Sequence, residues 1–242
     1  MKNRKKNIKE KCLDLFYPPR CPVCNGILED SSRKICPECE QTFHPVSEHY
    51  CLKCGKPVDE TEEYCTECRH RERKFSRGRG IFLYDTQMKQ SLLRYKYYGS
   101  REYGKYYAES ICRYAGADIM NWKPDVIVPV PLHRRKKRMR GFNQAADLAE
   151  RTGKLLGIPV TEEIVYKIKE TRSQKKLDAD ERKRNLKNAF RAVASVKGLR
   201  ILVIDDVYTT GSTMEAMAEC LLESGAKEVF FVTLCMVKKP FS

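Results

Sequence analysis

Two constellations in this sequence have residue types and spacings suited to chemistry. The first is Asp205-Asp206-Val207-Tyr208-Thr209-Thr210-Gly211-Ser212-Thr213. Hydroxyl and backbone N–H donors gathered around a glycine suit an oxyanion such as a phosphate, above all where the turn opens a helix whose first N–H groups lack partners. Two adjacent carboxylates would repel that anion if aimed at it, and are better placed for sugar hydroxyls or a hydrated magnesium ion. An N-cap threonine at an ordinary strand–turn–helix joint accounts for one hydroxyl and not for the series. The second constellation is four Cys-x-x-Cys pairs: Cys21/Cys24, Cys36/Cys39, Cys51/Cys54 and Cys65/Cys68. Their eight thiolates are enough for two tetrahedral sites of four, the donor set of structural zinc. A closed site of that kind leaves no position for a reacting water. Neither GxxxxGK[ST] nor GxGxxG occurs, which disfavours P-loop hydrolysis and dinucleotide binding.

The elements that must position these groups follow from periodicity. Ile201 to Ile204 is a short apolar run rich in β-branched residues, read as a strand buried on both faces. Met214 to Glu223 continues with helical spacing, so the hydroxyl turn lies at the carboxyl end of a strand, where open parallel sheets bind ligands. Further strands are expected at Ile81–Tyr84, Asp125–Val130, Val160–Ile168 (as the second core strand), Phe190–Val193 (as a short edge strand) and Glu228–Val237. Helices are expected over Met88–Tyr97, over Tyr103–Ala115 ending near Gly116, and over Gln144–Leu156. The fold class is therefore α/β, a parallel sheet with helices on both faces, preceded by a small double zinc ribbon. Tyr95, Tyr97, Tyr98, Tyr103, Tyr106 and Tyr107 alternate with Lys96, Arg101 and Lys105. Such a mixture can stack bases, but the adopted expectation is that the tyrosines pack two amphipathic helices on the sheet. Six cations in Arg134 to Arg140 would repel one another without an anion nearby.

The whole composition agrees with this division. The 242 residues carry a formal charge of +15, which points to polyanionic partners: phosphate ligands, nucleic acid or an anionic surface. The boundaries expected are 1–20 for a basic N-terminal segment, 21–70 for the ribbons, 71–80 for a linker and 81–242 for the α/β domain. Apolar residues between the knuckles are few, so zinc would supply the folding energy of the ribbons. Sequential pairing (Cys21, Cys24, Cys36, Cys39 and Cys51, Cys54, Cys65, Cys68) is preferred over interleaved pairing, because the second pair of knuckles reads as a repeat of the first. His44, His49 and His70 are surplus to eight thiolates and are expected on the surface. No apolar run approaches the ~20 residues of a membrane helix, and the basic start lacks the apolar core of a signal peptide. With Cys-x-x-Cys pairs read as metal sites in a reducing compartment, the location expected is cytoplasmic.

The acidic pair and hydroxyl turn resemble the phosphoribosyl pyrophosphate (PRPP) motif of type I phosphoribosyltransferases. By that resemblance Asp205 and Asp206 contact the ribose hydroxyls, and Tyr208, Thr209, Thr210, Gly211, Ser212 and Thr213 cradle the 5′-phosphate. Pro131, Leu132, His133, Arg134 and Arg135 take the place of the family's pyrophosphate loop. The series from Pro131-Leu132-His133-Arg134-Arg135 to Arg140-Gly141-Phe142-Asn143-Gln144, after two tandem ribbons, is similar to the ComF family. Thr171, Gln174, Leu177, Arg182 and Asn185 fit that family's flexible-loop pattern, whose closure would exclude water from an oxocarbenium-like centre. The resemblance implies Mg2+ with PRPP, two zinc ions, a role in DNA uptake during transformation, and single-stranded DNA and uptake-machinery proteins as partners. A working phosphoribosyltransferase, in which a nucleophile attacks ribose C1 and pyrophosphate leaves, and a PRPP-sensing regulator are the alternatives.

Overall fold

The computed structural model describes residues 18–30, 32–42, 45–46, 48–168 and 189–237. The flexible-loop residues Thr171, Gln174, Leu177, Arg182 and Asn185, the basic segment 1–17 and His44 lie outside the described residues. The elements run α1 (Pro37–Thr42), α2 (Thr66–His70), β1 (Arg77–Leu83), α3 (Thr86–Tyr97), α4 (Tyr103–Trp122), β2 (Val126–Pro129), α5 (Arg134–Arg140), α6 (Gln144–Leu156), β3 (Val165–Lys167), β4 (Phe190–Ala192), β5 (Arg200–Tyr208), α7 (Ser212–Glu223) and β6 (Glu228–Met236).

Four strands form a parallel sheet in the order β1-β6-β5-β2. β5 and β6 lie in its centre, as their apolar runs require. Their side chains divide between two cores with the period of a strand. Leu202, Ile204, Phe230 and Val232 face α4 and α6, together with Tyr107, Ile111, Trp122 and Leu148. Ile201, Val203, Val229 and Phe231 face α7, together with Met214, Met217 and Leu221. Helices therefore cover both faces. Pro129, which has no N–H to give, sits in β2 at the end of the strand order, where its loss to the ladder is small.

Tyrosine packing holds for most of the aromatic stretch. Tyr95, Tyr103 and Tyr107 are fully buried and meet edge to face, with ring centroids 5.3 Å apart for Tyr95–Tyr107 and 6.4 Å for Tyr103–Tyr107. Tyr97 and Tyr98 are exposed.

Two elements differ from the sequence reading, and the basic run takes a form that reading does not assign. α4 runs through Gly116 to Trp122, because Ile119 and Trp122 extend the buried stripe and Trp122 stacks on Phe230 at 5.2 Å. The expected second core strand over 160–168 divides in two. Val160 makes one parallel bridge to Ile127, whereas β3 pairs antiparallel with β4 in a separate two-stranded sheet. The basic run 134–140 is a short helix, closed by Gly141 in the left-handed region (φ 77). In addition β1 begins at Arg77, inside the stretch 71–80 read as a linker.

The ribbons sit astride the β1 edge. Cys21, Val23, Leu28 and Ile35 of the first ribbon belong to the α4 core, whereas Cys51 and Cys54 of the second belong to the α7 core. Between the ribbons, Pro45 bridges Phe82 and the Val46 N–H donates to the Ile81 carbonyl at 2.7 Å, so this connection lies along the outer edge of β1. Gly55 touches the strand most closely. It has φ 73, and a Cβ there would lie 2.7 Å from the Arg79 Cα. We expect Gly55→Ala to lower stability by at least about 1–2 kcal/mol from the left-handed backbone alone, with backbone collision adding to it. Urea unfolding of the zinc-loaded protein checks this, and an unchanged midpoint would contradict the packing.

Candidate functional site

Each ribbon begins with the same knuckle. The Cys21 N–H donates to Gly26 and the Asn25 N–H to Cys21, and Cys51–Lys56 and Gly55–Cys51 repeat the pattern. Asn25 (φ 67) and Gly55 (φ 73) occupy the left-handed turn position that lets two thiols point the same way. The four sulfurs of Cys21, Cys24, Cys36 and Cys39 lie within 4.8 Å of one another, as do those of Cys51, Cys54, Cys65 and Cys68. Pairing is therefore sequential. Cys24–Cys36 is 3.8 Å and Cys54–Cys65 is 3.7 Å. A zinc–sulfur bond of about 2.3 Å gives a tetrahedron edge of about 3.8 Å, so both sites fit a structural Zn2+.

Both ribbons reach the α/β domain through charged and polar contacts. From the first, the carbonyl of Pro22 accepts from the Ser91 hydroxyl, and that of Val23 from Arg94 at 2.6 Å, both on α3. Around the second, buried Lys56 pairs with Glu67 at 2.9 Å, and buried Arg73 pairs with Glu67 at 3.2 Å and with Glu215 at 3.8 Å. The Lys74 N–H donates to Glu215 as well, at 3.0 Å. Glu215 lies in the first turn of α7, the helix that follows the hydroxyl turn. The ring of Tyr208 lies between Phe231, stacked at 5.1 Å, and the Lys56 ammonium, 5.8 Å from its centroid. The second ribbon thus forms the back of that turn.

At the front, β2 ends at Pro129 opposite Ile204, with the Val130 N–H donating to Ile204 at 2.9 Å, while β5 runs on beside β6 to Tyr208. Asp205 and Asp206 follow on β5, and Pro131, Leu132 and half-buried His133 follow β2, leading to exposed Arg134 and Arg135. Asn143 fixes this exit by donating to the Val130 carbonyl at 3.1 Å while capping α6 through the Ala145 N–H. Gly211 (φ 79) opens α7 without a side-chain cap, and Thr210 and Ser212 share a hydrogen bond at 2.8 Å. A Cβ at Gly211 would collide with the Tyr208 hydroxyl, so the turn needs glycine for space as well as for conformation. One end of the sheet thus gathers the acidic pair, the hydroxyl turn and the start of the basic segment.

The acidic pair is nearly covered, Asp205 at 9% and Asp206 at 6% exposure. Burial disfavours both charges, and the two carboxyls disfavour each other. Lys96 of α3 resolves the conflict by an ion pair with Asp206. Although burial works against ionisation of Asp206, Lys96 and the charge of Arg140 hold its carboxyl below the ordinary range. Burial and the Asp206 charge push Asp205 well above that range. Lys167 of β3 stands near the same group. Burial, with Lys136 beside it, lowers its ammonium to about 8, against the pull of Asp205. Sequence reasoning missed Lys96 and Lys167 as members of the site, and only the fold brings them there.

The Double zinc ribbon domain family matches residues 12–69, and the Phosphoribosyl transferase domain family matches residues 107–240. Competence protein F of Haemophilus influenzae is 30% identical over 220 residues, covering 88% of this chain and 95% of that protein. The chain belongs to the ComF family. Competence protein ComFC of Bacillus subtilis is 31% identical over 200 residues, 79% of each chain. DNA utilization protein YhgH of Escherichia coli is 30% identical over 228 residues, 91% of this chain and 98% of that one. In this ComF protein β1 and α3, with Lys96, fall between the two matched regions.

Two outcomes are expected. Structural zinc sites bind with apparent energies of about 10 kcal/mol or more, comparable with the whole stability of a domain. Chelation should therefore unfold the ribbons and, through Arg73 and Glu215, disturb α7. Zinc release followed together with near-UV circular dichroism checks this, and complete release with an unchanged spectrum would contradict it. The second concerns Asp205. Its folded-state pKa is raised, so the folded chain binds the proton more tightly than the unfolded one, and stability is lost as pH rises from about 3.9 towards the folded value. Asp205→Asn keeps the acceptor oxygen for the Asp206 N–H and removes the charge. The substitution should therefore stabilise the protein at pH values above the ordinary aspartate range. The gain should be larger at pH 8 than at pH 5 in denaturant titrations, and equal gains at both would contradict the raised pKa.

Proposed function

We propose that this protein handles DNA during its uptake in natural transformation, in the cytoplasm, through a site that binds PRPP with Mg2+. The names of its relatives, competence protein F, competence protein ComFC and DNA utilization protein, support the role in DNA handling. The observation that carries the PRPP reading is the meeting of acidic pair, hydroxyl turn and basic segment at the ends of the neighbouring strands β2 and β5. The hydroxyls and N–H groups of Thr209 to Thr213 receive the 5′-phosphate. Asp205 and Asp206 accept hydrogen bonds from the ribose hydroxyls, with Lys96 as the competing donor on Asp206. Pro131 to Arg135 receive the pyrophosphate, and Arg134 and Arg135 offset its charge. Magnesium, bound with PRPP, supplies further charge compensation at the phosphates. The charge of +15 suits a second polyanion, and single-stranded DNA is the one proposed, with proteins of the uptake machinery as further partners.

Transfer of the phosphoribosyl group is the alternative. The candidate site offers charge placement of the kind such chemistry needs. Lys167, whose ammonium burial lowers to about 8, is a titratable group near Asp205 that such chemistry could use.

A titration with labelled PRPP and Mg2+ tests the site. Asp205→Ala/Asp206→Ala, which removes both acceptors, should weaken binding at least about tenfold, since the loss of even one hydrogen bond worth about 1.4 kcal/mol costs that much. Equal affinity in the variant would refute the assignment. Pyrophosphate release on adding candidate bases would favour the transferase over a binding role.

A further inference from the structure

The aromatic stretch 95–107 separates into two sets. Tyr95, Tyr103 and Tyr107 are core residues, whereas Tyr97 is 49% and Tyr98 75% exposed at the carboxyl end of α3. Large exposed aromatics next to each other are uncommon without a partner. What surrounds them is cationic. The stretch from Arg94 to Lys105 carries Arg94, Lys96, Arg101 and Lys105 against the single acid Glu102, and Arg134 to Arg140 carries no acid. The two segments meet at Arg140. Its guanidinium lies 4.8 Å from the Tyr97 ring centroid, one nitrogen donates to the Tyr97 hydroxyl at 2.6 Å and another to Gln144 at 2.8 Å. Its buried Nε has no hydrogen-bond partner among the described residues. Met139, next to it, is 70% exposed. Arg101, which lies 4.8 Å from the Phe142 ring and pairs with Asp147 at 3.5 Å, keeps its side chain more than half exposed. Lys137 pairs with Glu162 at 3.5 Å, whereas Arg134, Lys136 and Arg138 have no carboxylate partner among the described residues.

Exposed rings beside cations that lack a carboxylate partner among the described residues, Arg134, Lys136 and Arg138, match the chemistry of a single strand. Its bases present flat faces for stacking, and its backbone presents a row of phosphates. A duplex hides the base faces. An acidic peptide would satisfy the cations but leave the rings uncovered. We propose that the rim formed by Tyr97, Tyr98, Met139, Arg138, Arg140 and Arg101 is the surface on which this protein holds single-stranded DNA, with bases stacked on the tyrosines and phosphates on the arginines. Arg140 also bears on the acidic pair, since its charge is felt at both Lys96 and Asp206. The strand therefore lies beside the candidate PRPP site and not on the ribbons. The proposal rests on the nucleic-acid part of the proposed function and deepens it.

The test uses the zinc-loaded full chain, fluorescence anisotropy and two labelled strands of one length, an oligothymidylate and an abasic oligonucleotide that has phosphates but no bases. The wild-type protein should prefer the thymidylate strand. Tyr98→Ala touches a side chain with no described hydrogen bond or ring contact, so the fold should be retained. It should cost about tenfold in thymidylate affinity, within the range for one stacked base, and leave abasic binding and the salt slope unchanged. Tyr98→Trp should restore the preference. Arg138→Gln should lower the salt slope by about 0.7, the value for one phosphate of a single strand, and keep the base preference.

Equal binding of Tyr98→Ala and wild type, no preference for bases over abasic strand, or equal binding of a duplex would overturn the surface. Tighter binding of an RNA strand would overturn the choice of DNA. If wild type binds no single strand at low salt, the nucleic-acid reading itself fails. A PRPP titration of Tyr98→Ala keeps the two sites distinguishable, because PRPP affinity should be unchanged there.

Discussion

Two neighbouring carboxyl groups nearly sealed from water cannot both remain charged without a cation. In this protein that cation is Lys96, and much of the architecture serves to deliver it. Lys96 lies one residue short of the end of α3, a helix that begins beyond β1 on the far edge of the sheet. α3 is held to the first ribbon by Ser91 and Arg94, and its other buried face packs Met88, Leu92 and Tyr95 into the core. The ribbon, the helix and the acidic pair thus form one chain of contacts. The charge balance divides unequally, with Asp206 ionised against Lys96 and Asp205 inclined to keep its proton.

The ribbons act as a clamp. They have little apolar surface of their own, and what they have goes into the cores of the neighbouring domain, one ribbon to each face of the sheet. Metal coordination makes each knuckle rigid, and the rigid knuckle then presents backbone carbonyls and a buried cation at defined places. The second ribbon is closest to the hydroxyl turn. Lys56 and Arg73 would be costly to bury alone, but Glu67 and Glu215 compensate both. Glu215 is where this network joins the helix that carries the turn.

Much of this was legible in the sequence, for reasons that differ from element to element. β5, β6 and α6 are defined by apolar periodicity and by glycines at 157 and 211, and they stand within a few residues of where the pattern put them. The metal pairing was legible because the knuckle repeats itself. The cradle was legible because its residues are contiguous. What was not legible depends on contacts remote in sequence. A single glycine, Gly116, is a poor helix terminator when Ile119 and Trp122 continue the buried stripe. Val160 to Ile168 has strand composition throughout, but nothing local tells which neighbour each half will pair with. Lys96 and Lys167 look like surface lysines until the fold brings them to Asp206 and Asp205, and Tyr97 and Tyr98 look like their buried neighbours until α3 is packed.

The connection at Pro45 and Val46 has a meaning beyond anchoring. β1 is the outermost strand of the sheet, and it accepts this connection along the flank that β6 does not occupy. Strands with an open flank recruit other copies of themselves. Oxidation of the knuckle thiols, by releasing the ribbons, would bare a seam from Arg77 to Leu83 along which molecules can stitch together. Oxidative injury to this protein would then be felt as clumping and, because Arg73 and Glu215 tie the second ribbon to α7, as loosening of the hydroxyl turn at the same time.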